Sequence, residues 1–243
     1  MRYFLLIAAV PLAAAAACSG SADGHEGVPA SGSGTARTFQ VADFSGVELR
    51  GSDDVDVRVG KGFSVRAEGP SAELDTLKIE KVGNALRVGR KDSNMLWGGN
   101  HHGVKVYVTM PRIAAAAIAG SGNMAIDRVE GDRFTGDSAG SGDLSIGALA
   151  VQAADLSLAG SGNVSAKGSA KALKISVAGA GDVEAAGLKA ASAKVSVAGS
   201  GNVTAQVDGS AEVSVIGSGD VDLGKGARCT TTKIGSGDVT CGR

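Results

Sequence analysis

The stretch Ala193-Lys194-Val195-Ser196-Val197-Ala198-Gly199-Ser200-Gly201-Asn202-Val203 decides the fold. Apolar residues at 193, 195 and 197 alternate with Lys194 and Ser196, the mark of a strand with one buried face. Gly199-Ser200-Gly201-Asn202 then interrupts it. This tetrapeptide, Gly-Ser-Gly-Asp/Asn, begins at Gly120, Gly140, Gly160, Gly179, Gly199, Gly217 and Gly235, reads Gly-Ala-Gly-Asp at Gly179, and is always followed by Val, Leu or Met. Successive copies lie 20, 20, 19, 20, 18 and 18 residues apart. A fixed period near 20 means one structural unit stacked on itself.

Neighbouring copies keep the pattern. Leu173, Ile175 and Val177 precede one turn, and Ala211, Val213 and Val215 another. After the turn the alternation resumes, as in Leu144 and Ile146 or Val183 and Ala185. Each repeat therefore reads strand, turn, strand, return loop. Antiparallel hairpins would give no reason for a constant period. Parallel stacking pairs every strand with its counterpart one coil away, about 4.8 Å distant. The predicted fold is all-β: a single-stranded parallel β-helix of about seven coils of 18–20 residues, rising about 34 Å. Glycine suits the corners because a sharp turn between strands needs φ > 0. One coil looks poor, with Phe134, Gly136 and Ser138 at its inward positions. Either that coil is loose or the register shifts there.

The position after Gly-Ser-Gly reads Asn123, Asp143, Asn163, Asp182, Asn202, Asp220, Asp238. Stacked carboxylates would repel; an Asn between two Asp supplies amide donors to both. The column is read as a structural Asx-turn ladder. Its alternation fails at Asp220 and Asp238, a pair that either carries a raised pKa or holds a cation. Cys229 and Cys241 stand six residues before and after Gly235, both at inward positions. A disulfide between them would brace the last coil, since exported chains with two cysteines oxidise them and a solenoid end needs a cap. Thr230, Thr231, Thr232 and Lys233 make that final strand polar.

Residues 1–17 look like an export signal, with Arg2 and then an apolar run too short for a permanent span. Cys18 after three alanines resembles a lipobox, which makes Cys18 the expected lipidation site; plain cleavage after an Ala-x-Ala site stays open. Ser19 after it resembles lipoproteins sent to the outer membrane. Residues 18–37 are rich in Gly, Ser and Ala and read as a flexible tether, with His25 in it given no role. The net charge of −1 over 243 residues, with both signs mixed, gives no footprint for nucleic acid or a polybasic membrane site.

Residues 38–113 are strand-rich but irregular, with alternating runs at 47–49, 55–59, 63–65, 85–88 and 104–108 and a short helix at 71–77 capped by Ser71. Gly51-Ser52-Asp53-Asp54 looks like a degenerate corner, so the coils start here with longer excursions, and residues 114–243 form the regular coils. Trp97, His101 and His102 mark the one distinctive non-repeat stretch. It reads either as a binding loop or as a cover over the solenoid end. Adjacent histidines on extended backbone point apart, so no metal site is assigned.

The run Phe39-Gln40-Val41-Ala42-Asp43-Phe44-Ser45-Gly46-Val47-Glu48-Leu49, the strand Val104-Lys105-Val106-Tyr107-Val108-Thr109-Met110-Pro111 and the repeats after it resemble a bacterial family, the putative auto-transporter adhesin, head GIN domain, over residues 38–243. The resemblance implies an exported β-helical protein, often a lipoprotein, with no catalytic residues and no cofactor to carry over. The function expected is a non-enzymatic binding or adhesion module on the cell envelope, in contact with the membrane through its lipid anchor alone and with an unknown envelope or extracellular polymer or protein as partner. Its outward row Ser157, Ser176, Ser196, Ser214 and Thr232 is either a hydrogen-bonding ladder or solvated surface. A structural periplasmic protein is the alternative. A polysaccharide-acting enzyme would need clustered carboxylates and sugar-stacking aromatics, which the repeats lack. A nine-residue calcium repeat does not match the doubled period.

Overall fold

The computed structural model describes residues 27–91 and 103–242. Residues 1–17, read as an export signal, and Cys18, His25, Trp97, His101 and His102 lie outside the described residues. One 17-stranded sheet wraps into a solenoid. Its strands are β1 (Ala30–Ser31), β2 (Ala36–Phe39), β3 (Gly46–Gly51), β4 (Asp54–Val59), β5 (Ser64–Glu68), β6 (Leu77–Val82), β7 (Ala85–Arg90), β8 (Lys105–Met110) and β9 (Ala115–Gly120), with helix α1 (Ser71–Thr76) between β5 and β6. The regular part is β10 (Met124–Gly140), β11 (Leu144–Gly160), β12 (Val164–Gly179), β13 (Val183–Gly199), β14 (Val203–Gly217), β15 (Val221–Asp222), β16 (Ala227–Gly235) and β17 (Val239–Thr240).

The regular coils stack in parallel and in register. Leu156 lies opposite Ile175, Ile175 opposite Val195, and Val195 opposite Val213. These inward columns are buried. Each such side chain contributes about 1.5–3 kcal/mol by leaving water. The expected return loop is not a loop. From one corner to the next, β10 to β14 each run 15 to 17 residues as continuous strand. Keeping the return segment paired satisfies its backbone N–H and C=O groups without a single turn residue. Besides the glycine corner, pairing lapses twice per coil, after Ile146 and Ser165 and again at the level of Gln152 and Lys171. The coil thus has three runs: a first face before the glycine corner, a second face after it, and a short third face closing the loop. The stack makes about six turns.

The glycine corners depend on close approach. The first Gly of each corner has φ between +128° and +139°. Its carbonyl accepts two N–H donors from the next coil: Ser161 and Gly162 both donate to Gly140, at 2.9 and 3.2 Å. That geometry leaves no room for a side chain. A Cβ at Gly160 would sit 2.2 Å from the Gly140 carbonyl oxygen, and one at Gly162 equally close to that of Gly142.

The coil that reads poorly in sequence keeps its register, with Gly136 opposite Leu156 and Ser138 opposite Leu158. Gly136 leaves room for the Phe134 ring: a Cβ there would press on Phe134, Leu144 and Leu156 at 3.1 Å each. Ser138 is buried and donates to the Gly142 carbonyl at 3.0 Å.

The N-terminal tiers do not follow chain order. β3 pairs in parallel with β9 on one edge and β7 on the other, and β4 likewise lies between β10 and β8. The chain enters the stack at its second tier, adds the outermost tier later, and returns. The outer edges of β7 and β8 are covered by antiparallel β6 and β5, with β2 and β1 beyond β5. β1 and the first two residues of β2 fall within the stretch read as tether, so strand pairing begins before residue 38. The alternation in Leu77-Lys78-Ile79-Glu80 forms β6, a strand that the sequence reading gave partly to a helix. In α1 the N-cap is Pro70 rather than Ser71, with no side-chain cap bond; Ser71 instead accepts a hydrogen bond from Arg37 at 3.3 Å. Leu74 turns inward and closes this end of the core.

At the other end Cys229 and Cys241 are disulfide-bonded, with Cα atoms 6.2 Å apart. They pack against the apolar interior at inward positions. Thr231 and Lys233 take the inward register opposite Val213 and Val215 but are exposed, because no coil covers them.

Two measurements test this construction. Gly160→Ala should cost about 3 kcal/mol or more, from strain plus the clash, whereas Gly131→Ala should cost only about 1–2 kcal/mol. Gly131 has φ +139° and nothing near its would-be Cβ. Urea unfolding midpoints of the two variants decide it; equal losses would mean that close approach is unimportant. Reducing the disulfide, which closes a 12-residue separation, should cost about 2–3 kcal/mol. The loss should be confined to hydrogen exchange in residues 227–242, with β11 and β12 unchanged.

Candidate functional site

The Asx column is a continuous hydrogen-bond ladder along the glycine corner. Each backbone N–H donates to the side-chain oxygen one coil earlier: Asp143 to Asn123 at 3.0 Å, Asn163 to Asp143 at 2.8 Å, Asp182 to Asn163 at 3.3 Å, Asn202 to Asp182 at 2.7 Å, Asp220 to Asn202 at 3.0 Å and Asp238 to Asp220 at 2.7 Å. Every Asn adds a second donor. Nδ2 of Asn163 and of Asn202 reaches the preceding Asp oxygen at 3.1 and 3.0 Å. Alternation therefore gives each Asp below an Asn a carboxylate oxygen with two donors, and separates like charges by an amide.

The ladder begins one rung earlier than the seven positions that follow the Gly-Ser-Gly corners. Asp54 Oδ1 accepts both the N–H and the Nδ2 of Asn123, each at 3.0 Å. The signal for it is present in the degenerate corner, since Asp54 stands three residues after Gly51, as Asn123 does after Gly120.

At the far end two carboxylates follow one another on the ladder. Asp220 Oδ1 takes the Asp238 N–H, and Lys233 Nζ lies 3.7 Å from Asp238 Oδ1. Among the described residues no group of three or more His, Cys, Asp and Glu stands together as a metal shell. Among the described residues, Lys233 puts an ammonium group beside Asp238.

A second ionic cluster sits at the N-terminal cap. Asp53 occupies the place of the second corner glycine and is fully buried. Arg90 grips it with two nitrogens, Nε at 2.8 Å and Nη2 closer still, and Val104 N–H donates to it at 3.0 Å. Arg90 Nη1 also reaches Glu73, through both its carbonyl and its carboxylate, and the Thr76 hydroxyl. The pair ties the second-tier corner to α1. On the first face Arg87 bridges Glu48 at 2.9 Å and Glu80 at 3.3 Å. Burial pushes the Glu48 carboxyl up, but the Arg87 and Arg50 guanidiniums outweigh it and hold the group below the ordinary value. Glu80 behaves alike: burial raises it, and Lys78 and Arg87 bring it lower. Lys78 Nζ lies 3.0 Å from Glu80 Oε2, an ion pair without hydrogen-bond alignment. Nothing in the sequence pairs Asp53 with Arg90, because an irregular excursion separates them.

The outward row is in register: Ser157, Ser176, Ser196, Ser214 and Thr232 lie opposite one another in turn. Beside it runs a column of small residues, Ala139, Ala159, Ala178 and Ala198, ending in the exposed Ile216 and Ile234. The first face is therefore flat until its last two rungs. Trp97, His101 and His102 lie outside the described residues, as does Cys18.

The ladder yields a direct test. Asn163→Asp removes the Nδ2 donor to Asp143 and sets three carboxylates in succession. At pH 7 it should destabilise the protein by about 1–2 kcal/mol. The deficit should shrink as acid neutralises the carboxylates, a trend that thermal melts at pH 7 and pH 4 would reveal. A pH-independent loss would assign the effect to packing.

Solved structures share the architecture. An adhesin described as putative from Bacteroides fragilis aligns with a TM-score of 0.77 at 20% identity, over 85% of this chain and 95% of its own. An adhesin so described from Parabacteroides distasonis aligns at 0.66 and 21% identity, over 85% and 96%. A protein from the same organism described as a putative lipid binding protein aligns at 0.64 and 19%, over 85% and 95%. At these identities the likeness is one of fold. No curated protein matches the chain. The family model described as "Putative auto-transporter adhesin, head GIN domain" matches residues 43–227, and the chain belongs to that family.

Proposed function

We propose that this protein is a non-enzymatic binding module of the bacterial cell envelope, exported and displayed on a lipid-anchored tether through Cys18. The observation that carries the reading is the surface itself. In-register coils turn each outward position into a row that repeats at the coil spacing, about 4.8 Å, and such rows meet an extended partner rather than enclose a small substrate. Family membership supports the same reading, as do relatives of this fold described as adhesins or as lipid-binding. The carboxylates of the repeats support it too. Asp143 and Asp182 each hold two donors in the ladder, an occupation that suits scaffolding and leaves no free general acid paired with a general base. Among the described residues no helix is long and apolar enough to cross a membrane, in keeping with anchoring through a lipidated residue outside them.

A structural role facing the periplasm is the second reading, favoured by the complete internal satisfaction of the ladder. Protease treatment of intact cells carrying a C-terminal tag separates the two. Surface display predicts loss of the tag from intact cells; protection until the outer membrane is permeabilised would overturn the adhesin reading. Cys18→Ser should release the protein from the membrane fraction, and retention would refute the lipid anchor.

A further inference from the structure

We infer that the third face of the C-terminal coils is a docking strip for an extended anionic polymer, a polysaccharide bearing carboxylate or sulfate groups. This rests on the binding-module reading and names its partner class. Charge is separated across the solenoid's cross-section. Carboxylates gather at the glycine corner and on the second face: Asp143, Asp182, Glu184, Asp220, Asp222 and Asp238. Cations gather on and beside the third face, opposite that corner. Lys167 lies across from Gly187, Lys189 stands between Ser169 and Gln206, and Lys171 occupies the bend that ends the face. Lys189 and Lys225 line one shallow groove with Asp208, and Arg228 follows opposite Ser210.

All five cations are exposed. None of them makes an ion pair with another described residue, whereas Lys174, Lys194 and Lys233 on the first face are paired with Asp155, Glu212 and Asp238. One carboxylate, Asp208, shares the groove of Lys189 and Lys225.

The register spaces these charges along the solenoid axis. Lys167 and Lys171 belong to β12, Lys189 to β13, and Lys225 and Arg228 to the last coil, a strip about 14 Å long. Between them lie the small side chains Ala172, Ala186, Ala191, Ser192 and Ser210, together with the exposed Gln206 and Asp208. A polymer chain can therefore lie flat along the strip. Two other polyanions fit less well. A membrane surface would be held by cations together with large apolar residues, but the exposed large hydrophobics among the described residues, Ile216 and Ile234, are on the first face. Single-stranded nucleic acid draws much of its affinity from stacking on aromatics, which a polymer docked by its own anionic groups on unpaired lysines does not need, and no aromatic residue follows Phe134.

The test uses the full-length protein with heparin and polygalacturonate as probes, titrated at 50 and 300 mM NaCl. Binding to at least one probe, weakened at the higher salt, is expected. The triple variant Lys167→Gln, Lys189→Gln, Lys225→Gln should lose about tenfold in affinity, with an unchanged circular dichroism spectrum. The charge-matched variant Lys61→Gln, Lys174→Gln, Lys194→Gln should stay within about twofold of the parent. No binding to either probe, equal losses in the two variants, or salt-insensitive binding would overturn the proposal. So would tighter binding to vesicles of 70% phosphatidylcholine and 30% phosphatidylglycerol than to either polymer. These results leave the surface-display reading standing, since protease accessibility is read independently of them.

Discussion

The carbonyl oxygen of the first corner glycine is the contact on which the stack depends. It accepts two N–H groups from the coil above, and it can do so only because that coil presents a glycine with positive φ and no Cβ. Everything else is registered from this point. Three residues on comes the Asx rung, four on the first inward residue of the second face, and two before it the last inward residue of the first. A buried column of Val, Leu and Ile tolerates some slippage in volume. A backbone oxygen 2.2 Å from a would-be Cβ does not. The hydrophobic interior supplies most of the stabilisation, but the corner fixes which residues share it.

The two ends solve different problems. The amino-terminal end folds back on itself: β3 and β4 are flanked on both edges, antiparallel strands cover the tier outside them, and the Asp53–Arg90 pair fastens the corner to α1. A buried carboxylate is acceptable there because a bidentate guanidinium and a backbone N–H meet it. The carboxyl-terminal end has no such cover. β16 presents a free edge, polar inward positions and a disulfide, and the unpaired backbone is guarded by Lys233 and three threonines rather than by another strand.

The regular half of the fold was readable because a periodic sequence repeats its own evidence: one alternation could belong to any strand, but seven in phase with a glycine corner leave one architecture. The alternation at Leu173, Ile175 and Val177 named the inward set correctly, and Cys229 and Cys241 inherited their facing from it. The irregular tiers were legible only as strands. Their order in space depends on β7 and β8 stacking outside β3 and β4, a choice made by long-range pairing that leaves no local mark. The return loop expected of each repeat is continuous strand instead, with Gly131, Gly168 and Gly187 inside it, because a segment without clear alternation carries no local mark of its pairing. Gly136 looked like a defect because the Phe134 ring that replaces its side chain lies two positions away on the same strand. The ladder was legible as a column; its foot at Asp54 required aligning a corner that has lost a glycine.

Alternation in the ladder also imposes a parity on the molecule. Every coil is interchangeable at its corner, so the solenoid could in principle be any length. The rungs are not interchangeable, because an amide must sit between carboxylates. Adding or removing one coil would juxtapose two rungs of the same kind, while adding two together would restore the sequence. From Asp54 to Asp220 the rungs keep strict order; the last step, to Asp238, is the odd one, and Lys233 stands beside it. Coils in this architecture are thus naturally counted in pairs, and a lone extra coil belongs at a terminus, where a neighbouring cation can compensate it.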